Sequence, residues 1–295
     1  MALRRFTMAI IQFTVGEDKC ENMRKAVSFI KAAVAAGSKL IALPECFNSP
    51  YGTQYFKYYA EEIPNGMTSQ ALSKVAQECG VYVVGGSIPE CDGCNWYNTC
   101  TVWNPNGELI ATHRKVHMFD IDIPGGMQFK ESDILTAGKQ LTTFQTDMCK
   151  IGIGICYDLR FEEMARIYRK QGCDVILYPG AFNMCTGPMH WETLLRCRAI
   201  DNQVYVAGIS PATDQCAKYV AYGHSMIISP WGKILTSAEH EDSILYAIIN
   251  LDEVKDARQQ IPTGDQRRHD IYETIYKACS HCTTTPCKTT SCTKC

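Results

Sequence analysis

The sequence contains no apolar run long enough to form a membrane-crossing helix, which needs about 18 residues or more. It also lacks an excess of either charge. Its 29 basic and 31 acidic residues give a net charge of −2, which excludes a strong electrostatic grip on nucleic acid and a disordered acidic chain. The apolar stretch at residues 8–13 is short and has no small-residue cleavage site behind it, so no secretory leader is expected. No Pro-, Gly- or Ser-rich linker interrupts residues 1–277, and Gly85-Gly86 lacks a phosphate-loop pattern. These absences point to one domain over residues 1–277, with no nucleic-acid or membrane partner. The cytosol is the expected compartment, with a mitochondrial pool left open.

Apolar residues make up 46% of the chain and charged residues 20%, enough to bury a sizeable core. Cysteine is over-supplied and unevenly placed. Of 17 cysteines, five lie in the last 17 residues, in a C-x2-C-x4-C-x4-C-x2-C pattern with six threonines and no aromatic residue. Residues 278–295 therefore read as a disordered, oxidisable tail, too small and polar to fold alone. With His281 they also carry the composition of a soft-metal site. The twelve remaining cysteines are irregularly spaced and read as reduced, mostly packing thiols.

Hydrophobic periodicity predicts a strand over 7–13, a helix carrying Met23, Ala26, Val27, Ile30, Ala33 and Val34, and a strand over 40–43. The same order recurs as a strand over 151–156, a helix over 162–170 and a strand over 175–178. A further helix is expected at 191–200, where Arg196 and Arg198 read equally as structural, interface or pocket residues. AGSKLIALPECF at 36–47 lies over QGCDVILYPGAF at 171–182, a shift of 135 residues, pairing Gly37 with Gly172 and Pro44 with Pro179. The expectation is two pseudo-symmetric halves facing each other, with the ends of equivalent strands meeting at one site.

In IGIGICYDLRF (151–161), an apolar strand runs into Cys156. A sharp turn there would expose the thiol and aim the next backbone N–H, that of Tyr157, at a reacting centre. A buried strand-end cysteine is the equal alternative from this segment alone. A thiol nucleophile needs a base and a cation. His190 and His224 lie in no Cys–His hydrolase context, whereas Glu45 and Lys115 each follow a strand-like segment. His113 and His117 have the i, i+4 spacing of helical metal ligands, but the strand context argues against zinc.

Together, ALPECF, HRKVHMFD and GICYDLRF resemble the Glu, Lys and Cys motifs of the nitrilase superfamily of carbon–nitrogen hydrolases. NSPYGTQY, GGSIPE, FDIDIP, GAFNMCTGPMHWE and DNQVYV resemble its omega-amidase branch. The resemblance spans residues 6–276. It implies an α/β fold, a four-layer α-β-β-α sandwich, usually assembled as a homodimer. It also implies Glu45 as general base, Lys115 as cation, Cys156 as nucleophile and Glu131 as a supporting carboxylate, with no cofactor or metal. The implied substrates are dicarboxylate monoamides such as 2-oxoglutaramate, 2-oxosuccinamate and succinamate, and the implied intermediate is a cysteine thioester. Their distal carboxylate needs donors, for which Arg160, Tyr51 and Thr53 are candidates. Arg160 could equally pair with Asp158. Pseudo-symmetry places Phe182, Asn183 and Met184 near the site, and Cys46 and Cys185 beside it. Sibling activities on deaminated glutathione, N-carbamoyl amines or nitriles remain open, as does a non-catalytic protein on the same fold.

Overall fold

The computed structural model describes residues 4–125 and 127–277. The expectations for the tail, disorder and metal binding alike, lie outside these residues. The first half runs β1 (Arg5–Gln12), α1 (Lys19–Ala35), β2 (Leu40–Ala42), α2 (Thr53–Tyr59), α3 (Met67–Cys79), β3 (Tyr82–Val84), β4 (Ile88–Asp92), β5 (Asn95–Trp103) and β6 (Leu109–Arg114). A small hairpin, β7 (Asp120–Asp122) and β8 (Gln128–Lys130), leads to the second half. That half runs β9 (Thr142–Gln145), β10 (Lys150–Ile153), α4 (Glu162–Lys170), β11 (Val175–Pro179), α5 (Gly187–Asn202), β12 (Tyr205–Ile209), β13 (Met226–Ile228), β14 (Ile234–Ser237), β15 (Ser243–Asn250) and α6 (Leu251–Gln260).

Two sheets result, one ordered β15-β1-β2-β3-β5-β4 with β6 added on β5, the other β14-β13-β12-β11-β10-β9. Each has three parallel strands at its centre, β1-β2-β3 and β10-β11-β12, flanked on both sides by antiparallel partners. The repeat read from the sequence is therefore a repeat of topology. Its aligned glycines do the same job, since Gly37 (φ 89°) and Gly172 (φ 87°) both turn the chain after a helix in a left-handed conformation that costs a side chain energy.

Side-chain alternation explains the layers. Met8 and Ile10 of β1 join Ile151, Ile153, Val175 and Leu177 in a core between the sheets. Their neighbours Ala9 and Ile11 face the opposite way, against Met23, Ala26 and Ile30 of α1 and Leu72 and Val75 of α3. On the second sheet, Met164 and Tyr168 of α4 and Trp191 and Leu195 of α5 form the outer layer. The order is α-β-β-α, as expected.

One expectation about composition fails. Of the twelve cysteines among the described residues, Cys20, Cys94, Cys185, Cys197 and Cys216 are exposed rather than packed. Irregular spacing gave no signal of which side of the surface each would take.

Candidate active site

β2 ends at Ala42, and the chain turns through Leu43-Pro44 to bring Glu45 inward. Gly86 (φ 54°) crosses this turn so closely that a Cβ there would sit 2.0 Å from the Pro44 carbonyl oxygen. Glu45 is fully buried. Its Oε2 accepts from the Ala181 N–H at 2.7 Å and its Oε1 from Asn98 Nδ2 at 2.8 Å. Ala181 follows β11, so the ends of the equivalent strands β2 and β11 do meet.

Lys115, just past β6, is also fully buried. Its N–H donates to Asn98 O at 2.8 Å and its carbonyl accepts from Gly138 N at 2.7 Å, which fixes its backbone. The ammonium lies 3.3 Å from Glu45 Oε1 and 2.8 Å from Glu131 Oε2. Glu131, at the start of a short 3-10 turn, accepts the Phe119 N–H at 2.8 Å and the Tyr51 hydroxyl at 3.4 Å. Burial alone would drive the Lys115 proton off, but the charges of Glu131 and Glu45 hold the ammonium well above its usual range.

Cys156 is not on the strand. β10 ends at Ile153, and Cys156 opens a 3-10 turn that runs to Arg160. The residue has φ 48°, a left-handed conformation that costs a side chain roughly 1–2 kcal/mol and marks a position held by its surroundings. Gly180 makes room for it, since a Cβ there would lie 3.0 Å from Cys156 Cα. Cys156 is 3% exposed, and its thiol lies in the field of Glu45, Lys115 and Glu131. Burial and the neighbouring Glu45 charge push the thiol well above its ordinary range, with Lys115 opposing. Burial likewise raises the Glu45 carboxyl, against the pull of Lys115. Burial thus favours the neutral thiol at rest, and the ammonium is positioned to hold negative charge that develops next to it.

A cavity of about 290 Å³ opens onto Glu45, walled by Tyr51, Tyr55, Ala181, Lys218 and Tyr219. Tyr51 and Tyr219 pack with ring centres 4.5 Å apart, and the Tyr219 hydroxyl donates to Ala181 O at 2.6 Å. Of the residues expected to bind substrate, only Tyr51 lines this cavity. Thr53 begins α2. Asn183 Oδ1 accepts the N–H groups of Cys185 and Thr186, which ties down the turn into α5. Met184 and Cys185 point to the surface. Phe182 packs on Trp191 and under the Arg160 guanidinium, 4.7 Å from its ring centre.

Arg160 does not pair with Asp158. Its Nη1 lies 3.0 Å from His190 Nδ1, and its Nη2 donates to Thr186 Oγ1 at 3.2 Å. Asp158 is held by His113 and His117, so these histidines are tied to a carboxylate. Among the described residues no His/Cys/Asp/Glu group is arranged to hold a metal ion. Arg198 is structural, donating to Leu159 O and Arg160 O at the end of the Cys156 turn.

The carbon–nitrogen hydrolase family profile matches residues 7–259.

The chain belongs to the carbon–nitrogen hydrolase family.

Within that family it is 55% identical over 270 residues to the omega-amidase NIT2 of Danio rerio, covering 92% of this chain and 97% of that protein. It is 52% identical over 267 residues to omega-amidase NIT2 of Homo sapiens, covering 90% and 96%. The crystal structure of Saccharomyces cerevisiae Nit3, a member of branch 10 of the nitrilase superfamily, superposes with a TM-score of 0.83. The two are 40% identical, over 90% of this chain and 97% of that one. This carbon–nitrogen hydrolase is therefore an amidohydrolase with the nitrilase fold. Sequence reasoning missed Asn98, which braces both Glu45 and Lys115, and the rim residues Lys218 and Tyr219. A polar residue inside the buried strand β5 was the only available signal for Asn98. The rim loop carried none. Among the described residues, no helix is long and apolar enough to cross a membrane.

Proposed function

We propose that this carbon–nitrogen hydrolase is an omega-amidase, releasing ammonia from the terminal amide of dicarboxylate monoamides such as succinamate, 2-oxoglutaramate and 2-oxosuccinamate. The observation that carries the reading is the buried group in which Lys115 lies 3.3 Å from Glu45 and 2.8 Å from Glu131 beside the Cys156 thiol. Identity of 52–55% to omega-amidases over nine-tenths of the chain supports the substrate class.

Glu45 takes the Cys156 proton as sulfur attacks the amide carbonyl. Lys115 Nζ and the Tyr157 N–H hold the oxyanion. The C–N bond breaks as protonated Glu45 gives its proton to the leaving nitrogen, and ammonia departs from a thioester. Glu45 then deprotonates water, which attacks the thioester and frees the acid. The proton returns to sulfur. Glu131 orients Lys115 and keeps it charged.

Tyr51 forms the wall beside this centre, Arg160 and Phe182 brace the turn from behind, and Asn183 ties down the adjoining turn into α5. The distal carboxylate goes to Lys218, a cation of the cavity wall whose ammonium sits 5.7 Å from the Tyr55 ring centre. Lys218 has no carboxylate partner among the described residues. Activity resides in residues 1–277, with no cofactor, and residues 278–295 are dispensable. The protein works in the cytosol, where its free thiols stay reduced. It pairs with a second copy, which would cover exposed apolar residues such as Met189, Ile200 and Ile271.

The test is ammonia release from succinamate compared with butyramide and butyronitrile. Succinamate should lead in kcat/KM, and Lys218→Met should shrink that lead by ~10-fold or more, the scale of one charge-assisted contact. Equal rates for succinamate and butyramide in the wild type would overturn the substrate assignment.

A further inference from the structure

Asp158 lies two residues after the nucleophile, in the same turn, and is completely buried. Its carboxylate gathers donors from two separate segments. Oδ2 accepts the Ile155 N–H at 2.9 Å and lies 3.2 Å from His113 Nε2. Oδ1 accepts the His117 N–H at 2.9 Å and lies 2.7 Å from His117 Nδ1. Ile155 immediately precedes Cys156, while His113 and His117 stand two residues to either side of Lys115. One carboxylate thus fastens the nucleophile's turn to the cation's loop. Burial works against its charge, but the hydrogen bonds from His113 and His117 outweigh it, and the acid stays below the usual carboxylate range. An ionised carboxylate only accepts, so both facing ring nitrogens carry protons. The His117 ring stacks on Phe161 with centres 3.7 Å apart, closing the far end of the turn.

We infer that Asp158 is a positioning residue, holding Cys156 in its left-handed conformation and at a fixed separation from Lys115. The inference rests on Cys156 being the nucleophile. Nothing in the chemical step passes through Asp158. Its loss lets the turn relax toward ordinary backbone angles and carries the sulfur away from Glu45 and Lys115. A displacement of that kind, on the order of 1 Å, costs about 10²-fold in rate.

The experiment compares wild type, Asp158→Asn and Asp158→Ala for kcat and KM on succinamate. It also measures the rate at which iodoacetamide alkylates Cys156 in each folded protein, located by peptide mapping. Asp158→Ala should lower kcat by ~10²-fold with KM little changed, and alkylation should slow in parallel. Asp158→Asn should fall between, because one amide oxygen keeps part of the acceptor set. Full kcat and full alkylation rate in Asp158→Ala, with only the melting temperature lowered, would show a merely structural role and overturn the inference. Should Asp158→Ala fail to fold, His117→Phe decides, since it removes one donor and keeps the stack on Phe161. A drop in kcat at constant KM supports the clamp, and wild-type kcat overturns it. Inactive Asp158 variants beside a fully active Cys156→Ala would instead refute the nucleophile itself.

Discussion

In the proposed mechanism Glu45 carries the heaviest chemical load, because it takes a proton from sulfur, gives it to nitrogen and later takes one from water. A carboxylate at its ordinary value of 4.5 would be a poor donor to a leaving amine. Burial raises Glu45, and Lys115 limits the rise. The base must be ionised for attack, so kcat/KM should climb with pH through a midpoint above 4.5, and Glu45→Gln should abolish that limb with a loss of ~10²–10⁴-fold. A pH–rate profile checks both, and a limb at or below the ordinary value would contradict the assignment. Glu45 and Cys156 stood out because each comes soon after an apolar strand, and Lys115 because the HRKVHMFD motif carries it, since β6 before it is partly exposed. Asn98, which braces two of them, was not legible, because an asparagine inside a strand has no spacing signature. Arg160 misled for the opposite reason. Proximity to Cys156 in sequence said nothing of His190 and Thr186, which reach it from another loop.

At the scale of elements, the site exists where the C-terminal ends of β2, β10 and β11 converge, and glycine makes that convergence sterically feasible. Gly180 has no unusual backbone angle, yet a Cβ there would meet Cys156 Cα at 3.0 Å and the Trp191 ring at 3.3 Å. One of the three must shift. We expect Gly180→Ala to cost ~1–3 kcal/mol by overpacking and to depress kcat more than its loss of stability explains. Denaturant midpoints and steady-state rates on the same preparation separate the two effects, and wild-type kcat would show that the turn tolerates the displacement. Two strands and the helix between them could be read from periodicity in each half, with the closing glycines aligned; the third parallel strands, β3 and β12, were not read. The boundary at Cys156 could not be read either. A residue at φ 48° follows an apolar pattern without break, and only tertiary packing decides that the strand stops at Ile153. The rim that supplies Lys218 and Tyr219 is irregular chain, invisible to periodicity.

Taken whole, two α/β halves press their sheets together and leave one buried polar group where equivalent strand ends meet. The pseudo-repeat, weak as a twelve-residue alignment, proved a sound guide because topology obeys it even where side chains do not. Glu45 in one half corresponds to Gly180 in the other, so the halves supply different parts to a single centre. The thiols are the harder feature at this scale. The chain has 17 of them, several at the surface, and composition alone cannot say which performs chemistry. We propose that turnover runs through one, Cys156, the cysteine of the GICYDLRF motif beside Glu45 and Lys115; Cys46 is also buried among the same charges. Ammonia release from succinamate by folded Cys156→Ala, with every other cysteine in place, tests that claim most directly. Activity should fall by ~10³-fold or more, the scale set by loss of a nucleophile, whereas near-normal release would mean the reaction does not pass through Cys156.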